Sequence, residues 1–123
     1  MADQVGSGKI WDGESLTATT NSDAIDLAGG TELSISASAP STAGSGTFKL
    51  QGSNDKTTWH DLYLEDLANG GVKGNWAVTA SQAFSEGFDF ETRWKYIRCV
   101  YTVTVATARV FTVVVTVAPA RKG

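Results

Sequence analysis

The sequence predicts an all-β chain, a single antiparallel β-sandwich of jelly-roll type with about eight strands. Three observations predict it. Polar and apolar residues alternate strictly over several windows, as in strands with one wet and one buried face. β-Branched residues crowd the last third, where a pleated surface favours them. Gly, Ser and Thr break the chain into short runs, at the spacing of sandwich turns.

The elements follow in order. Residues 1–12 are polar and Gly/Ser-rich and read as an N-terminal arm. The sandwich is expected over 13–118, and 119–123 form a short basic tail. Weak strand patterns occupy 15–20 and 24–27. In 32–39, Leu33, Ile35, Ala37 and Ala39 share one face, while Glu32, Ser34, Ser36 and Ser38 share the other. Phe48 and Leu50 repeat the pattern over 47–52, so 40–46 reads as a hairpin-type connection. Weaker strands are expected at 59–64, 76–79 and 84–90. Trp59, Leu62, Tyr63 and Leu67 also fit one short helical turn, which Asn69-Gly-Gly71 would end. The strongest strands are 96–105, with Ile97, Cys99, Tyr101, Val103 and Val105 inward, and 109–117, with Phe111, Val113, Val115 and Val117 inward. Ala106-Thr-Ala108 joins them, predicting a long antiparallel hairpin, although the usual Asn-Gly or Asp-Gly turn is missing.

Composition narrows the function classes. At 123 residues with 41% hydrophobic and 19% charged residues, the chain suits one globular domain. A net charge of −3 argues against general nucleic-acid binding. The single cysteine, Cys99, excludes an intrachain disulfide, and Cys99 with the single histidine, His60, cannot supply a thiolate zinc site. No apolar run reaches the roughly 20 residues that span a bilayer. No signal peptide is visible, so synthesis in a cytoplasm is expected, with no membrane partner. Residues 1–66 hold ten acids and three bases, and residues 67–123 hold three acids and seven bases. Strands from the two halves are expected to interleave and erase this asymmetry. The competing reading is a polar subunit that associates head to tail.

Candidate chemistry is sparse. His60 and Asp61 are neighbours on a strand and point to opposite faces. Ser53 lacks a G-x-S-x-G setting. No triad is assembled, no enzyme is expected and no cofactor is implied. Asp55, Asp61, Glu65 and Asp66, with Asn54 nearby, could offer oxygens to calcium, but their spacing is not that of an EF-hand and they read more simply as a solvated acidic loop. Cys99 lies in the apolar register and is expected to be a buried, inert thiol. Arg98 faces the other side, toward a cross-sheet acid or a partner. Gly6-Ser-Gly-Lys9 lacks the first glycine, the Ser/Thr and the preceding strand of a phosphate loop. Trp59 is expected in the core beside Leu62. Trp11, Trp76 and Trp94 lie near turns and charges. With Ile10 they are the candidate interface, because exposed indoles mark interfaces and sugar platforms, while burial at the sandwich ends is the plainer alternative.

Phe48-Lys-Leu-Gln-Gly-Ser-Asn-Asp-Lys-Thr-Thr-Trp-His-Asp-Leu62, an F-x-L-x-G-S-N-D-x-x-x-W pattern, precedes a late Arg93-Trp-Lys-Tyr-Ile-Arg-Cys-Val-Tyr-Thr102 strand. Together they resemble small β-sandwich virion proteins of tailed bacteriophages, of the head decoration (cement) or tail-associated type. The resemblance implies a structural protein without catalytic residues. It further implies a homo-oligomer, a trimer by preference, made in the host cytoplasm and bound to the major capsid protein on the capsid surface. The Gly52-Ser-Asn-Asp55 turn would then be structural. Its glycine would relieve a bulge or a positive φ, its Asn and Asp would hold backbone amides, and Trp59 and 96–101 would build the core. The same turn is similar to discoidin-type carbohydrate-binding sandwiches, which are longer and often carry a disulfide that a lone cysteine cannot form.

Overall fold

The structure, a computed structural model, describes residues 4–65 and 70–118. It is all-β, as expected. The strands are β1 (Gln4–Val5), β2 (Gly8–Leu16), β3 (Thr20–Asn21), β4 (Ile25–Asp26), β5 (Glu32–Ala39), β6 (Ser45–Ser53), β7 (His60–Asp61), β8 (Leu64–Glu65), β9 (Val72–Lys73), β10 (Trp76–Val78), β11 (Phe84–Glu91), β12 (Tyr96–Val105) and β13 (Arg109–Val117). One sheet runs β4-β12-β6-β10, with β3 also on β12, β7 also on β6 and β1 parallel to β4. The other runs β11-β5-β13-β2. A small β8–β9 ladder stands apart.

The chain changes sheet at almost every connection, from β2 to β3/β4, β5, β6, then β10, β11, β12 and β13. Counting β3 and β4 as one interrupted strand gives eight principal strands in two four-stranded layers, the jelly-roll arrangement. Two expected hairpins are therefore corrected. β5 and β6 lie in different sheets, so 40–44 crosses between layers. β12 and β13 also lie in different sheets, each between two neighbours, and 106–108 is a crossing rather than a turn. Each of these two most apolar strands thus sits mid-sheet, and they meet through the core, with Tyr101 and Phe111 rings 4.7 Å apart.

Alternation puts Leu33, Ile35, Ala37 and Ala39 of β5 inside, along with Phe48 and Leu50 of β6 and Phe111, Val113 and Val115 of β13. Phe48 is the hub, its ring 5.6 Å from Phe84, 5.8 Å from Phe88 and 6.2 Å from Phe111. Burying such rings is worth several kcal/mol in all, roughly 1.5–3 kcal/mol per large side chain.

The expected arm is corrected from Gly8 onward, because Gly8–Leu16 is a complete edge strand on β13. Trp11 and Leu16 are both buried although they are five positions apart, a spacing that strict alternation puts on opposite faces. The register shift between Phe111 and Thr112 absorbs the mismatch, and a second shift, between Val113 and Val114, follows beyond Trp11. Gly13, with φ of 65°, is the residue skipped at the first shift. Among the described residues no helical turn forms near 59–65, where β7 and β8 lie instead. The 119–123 tail lies outside the described residues.

Candidate functional site

At one end of the sandwich the Gly52–Asp55 turn is self-contained. The Ser53 hydroxyl, fully buried, donates to Asp55 Oδ1 at 3.0 Å and accepts from the Asp55 and Lys56 amides. Asp55 Oδ1 accepts from the Thr57 amide at 2.8 Å and the Thr58 amide at 2.9 Å. The Thr58 amide first, then the Thr57 amide and the Ser53 hydroxyl, hold the Asp55 carboxyl below its usual pKa. Asn54 Oδ1 accepts from the Lys95 amide at 3.2 Å, tying this turn to the 92–95 loop. The structural role expected for the turn is therefore present.

The reason for Gly52 is different from the one expected. Its φ is not positive, and its pairing with Ile97 is regular. A Cβ there would lie 2.4 Å from the Trp94 ring. The missing side chain makes room for an indole that also stacks on His60, with centroids 5.1 Å apart and planes 15° from parallel. Beside this plug, the 26–31 and 92–96 segments frame a cleft of about 260 Å³ that includes Asp26, Arg93, Trp94 and Tyr96.

On the outer face of the β12 sheet, side chains form a ladder. Lys49 Nζ lies 3.1 Å from Asp61 Oδ1, Gln51 Nε2 donates to the same oxygen at 2.8 Å, and Arg98 Nε donates to Gln51 Oε1 at 2.8 Å. The Gln51 hydrogen bond first, then Lys49, depress the Asp61 carboxyl pKa. The Arg98 guanidinium sits 4.3 Å over the Trp59 ring. This corrects the core placement of Trp59, which is half-buried outside the sandwich while Leu62 enters the core. Arg98 meets a glutamine and an indole rather than an acid.

The candidate interface residues are placed differently from expectation. Trp11 is 5% exposed and Trp76 is 8% exposed, both in the core, against Phe111 and Phe88 respectively. Ile10 and Trp94 are partly buried and pack on that core. The four are not brought together into one exposed patch.

The groups considered for chemistry are already engaged. His60 stacks on Trp94, Ser53 serves the turn, and Asp61 serves the ladder. Asp55 and Asp61 therefore point to different partners, and no group of three metal-ligating side chains occurs among the described residues. Asp66 lies outside them. Cys99 is buried as expected, and desolvation pushes its thiol pKa up to about 12.

Sequence reasoning missed Arg109. It shares the inward parity of Phe111 and is completely buried. Nη1 donates to the carbonyls of Thr42 (3.3 Å), Gly44 (3.4 Å) and Thr79 (3.5 Å), and Nη2 to that of Gln82 (2.9 Å). A charged side chain in the inward register of an otherwise apolar strand was the available signal. Arg109 closes the end opposite Trp94 by gathering the 40–44 and 79–83 loops.

Fold and site together define a jelly-roll sandwich closed by side chains at both ends. No known family model matches the sequence, and no curated protein matches it. Among solved structures, the fold is similar to that of SPBc2 prophage-derived protein YomS. The TM-score is 0.61 at 14% identity, over 89% of this chain and 93% of that one.

Proposed function

We propose that this chain is a structural protein of a tailed-phage virion, and within that class a head decoration (cement) protein. In this reading it binds the major capsid protein on the capsid surface as a homo-oligomer, a trimer by preference, and ties neighbouring capsomers together. It is not an enzyme and uses no cofactor. The observation that carries the reading is the jelly-roll shared with a prophage-derived protein along nearly the whole of both chains. Jelly rolls recur in viral capsid proteins. Side chains that could do chemistry serve the fold instead, as Ser53, His60 and Arg109 do. Many weak copies on a symmetric lattice give large avidity.

Jelly rolls also serve as lectins, and an exposed tryptophan platform was the sequence feature favouring sugar binding. Here Trp11 and Trp76 are buried, Trp94 is packed on Gly52 and His60, and Trp59 carries Arg98.

Quantitative mass spectrometry of purified virions tests the reading. Copies in a simple ratio to the major capsid protein are the expected result. A few copies per particle would move the protein to the tail or portal vertex, and absence from particles would overturn the virion assignment.

A further inference from the structure

The β13 sheet ends in two unlike edges. β2 is bulged twice against β13 and turns through Gly13 at positive φ. Bulges of this kind twist an edge away from further pairing. β11 has none of these protections. All eight of its residues pair with β5 in unbroken register, from Phe84 opposite Ala39 to Glu91 opposite Glu32. It contains no Pro, Lys or Arg. Among the described residues no strand pairs with its other side, and no other backbone hydrogen bond reaches it. An open, straight edge of this length is a template for strand addition.

The side chains on this edge specify what could be added. Strands of the β13 sheet carry Asp12, Glu14, Glu32, Glu86, Asp89 and Glu91, against Lys9, which pairs with Asp12 at 3.4 Å, and the buried Arg109. The two halves of the chain do interleave, as expected, but charge is re-sorted onto one sheet instead of being erased. Three of these acids lie on β11 itself. Glu86 has the inward parity of Phe84 and Phe88, is half-buried, and makes no ion pair or hydrogen bond among the described residues. Asp89 and Glu91 point outward, and Gly87, two residues before Asp89 on the same face, leaves open space. Phe90 is only half-covered at the rim. A second copy paired β11 to β11 would crowd six carboxylates along one seam, and like charges across strands are destabilising.

We propose that the free edge of β11 binds an extended segment of a partner protein by antiparallel strand addition. That segment carries Lys or Arg opposite Glu86, Asp89 and Glu91, and apolar residues opposite Phe88 and Phe90. Backbone hydrogen bonds provide affinity, and the acids select a cationic strand. This goes beyond the virion reading and does not depend on it.

The test uses the full chain and the synthetic peptide acetyl-Lys-Val-Lys-Val-Thr-Lys-Thr-Val-amide, followed by ¹⁵N amide shifts. Saturable shifts centred on 84–91, weakened by salt, are expected. The isosteric variant E86Q/D89N/E91Q should retain the wild-type spectrum elsewhere and bind roughly tenfold more weakly. A peptide with Glu in place of Lys should not bind. Unshifted β11 amides at millimolar peptide would overturn the proposal, as would equal binding by the triple variant. Protection from exchange, in an oligomer of the protein alone, of the β11 amides that face away from β5 would assign the edge to a second copy and overturn it equally.

Discussion

The two ends of the sandwich are closed by opposite means. At one end a buried cation, Arg109, gathers carbonyl oxygens from two crossing loops. At the other an aromatic ring, Trp94, fills the space left by a missing Cβ at Gly52. The difference teaches how a small jelly roll finishes its core. Its connections cross between layers and leave carbonyls pointing into the ends, so one end is satisfied by donors. Where a side-chain-rich turn already holds its own backbone, as Ser53 and Asp55 do, the end needs only apolar volume.

Removing Arg109 should produce the largest effect. Arg109→Ala strips donors from four buried or half-buried carbonyls and is expected to cost about 3–5 kcal/mol in urea unfolding. Arg109→Lys should recover only part of this, because one ammonium cannot reach both loops. If Arg109→Ala matched wild type, the cation would not be what closes that end.

Gly52→Ala tests the other end. Its methyl group would meet the Trp94 ring, and a loss of about 1–3 kcal/mol is expected. Trp94→Ala also destabilises, but the double variant should lose clearly less than the two singles together, since the clash vanishes with the ring. Additive losses would mean that the indole is not what requires glycine.

Asp55→Ala should have a smaller effect, and one that depends on pH. The folded Asp55 carboxyl is held below its ordinary value of 3.8. Its contribution is therefore present above that value and lost as pH falls through the folded pKa. Thermal melts should separate wild type from variant at neutral pH and converge in acid. A constant gap across that range would show that the charged form is not the one the turn uses.

The smallest effect is expected at Tyr101. Its buried hydroxyl has no hydrogen-bond partner among the described residues, so Tyr101→Phe should change stability by no more than about 0.5 kcal/mol in the same urea titration. A loss near that of Arg109→Ala would reveal a partner for this hydroxyl inside the arginine-closed end.

What the sequence determined by itself is the faces. Strict alternation settled that Leu33, Ile35, Phe48, Leu50, Cys99, Tyr101, Phe111 and Val113 point inward, and so settled the fold class and its approximate strand number. Most of the Asx-rich turn was equally legible, because Ser53 and Asp55 act on amides within three residues in the chain, whereas the Asn54 partner, the Lys95 amide, is brought in by the fold. Alternation failed where register shifts changed its phase: it hid β2 and Trp11, and beyond the shift between Val103 and Val105 it put Val105 inward although that side chain is exposed. Tertiary structure decided the rest. Period-two patterning says which side of a strand is buried but not which sheet the strand joins, so the crossings at 40–44 and 106–108 looked like hairpins. The partners of Gly52 and Arg109 lie far away in sequence, at Trp94 and at Thr42 to Gln82. A missing Cβ or a buried charge acquires its meaning only when distant backbone and ring arrive beside it.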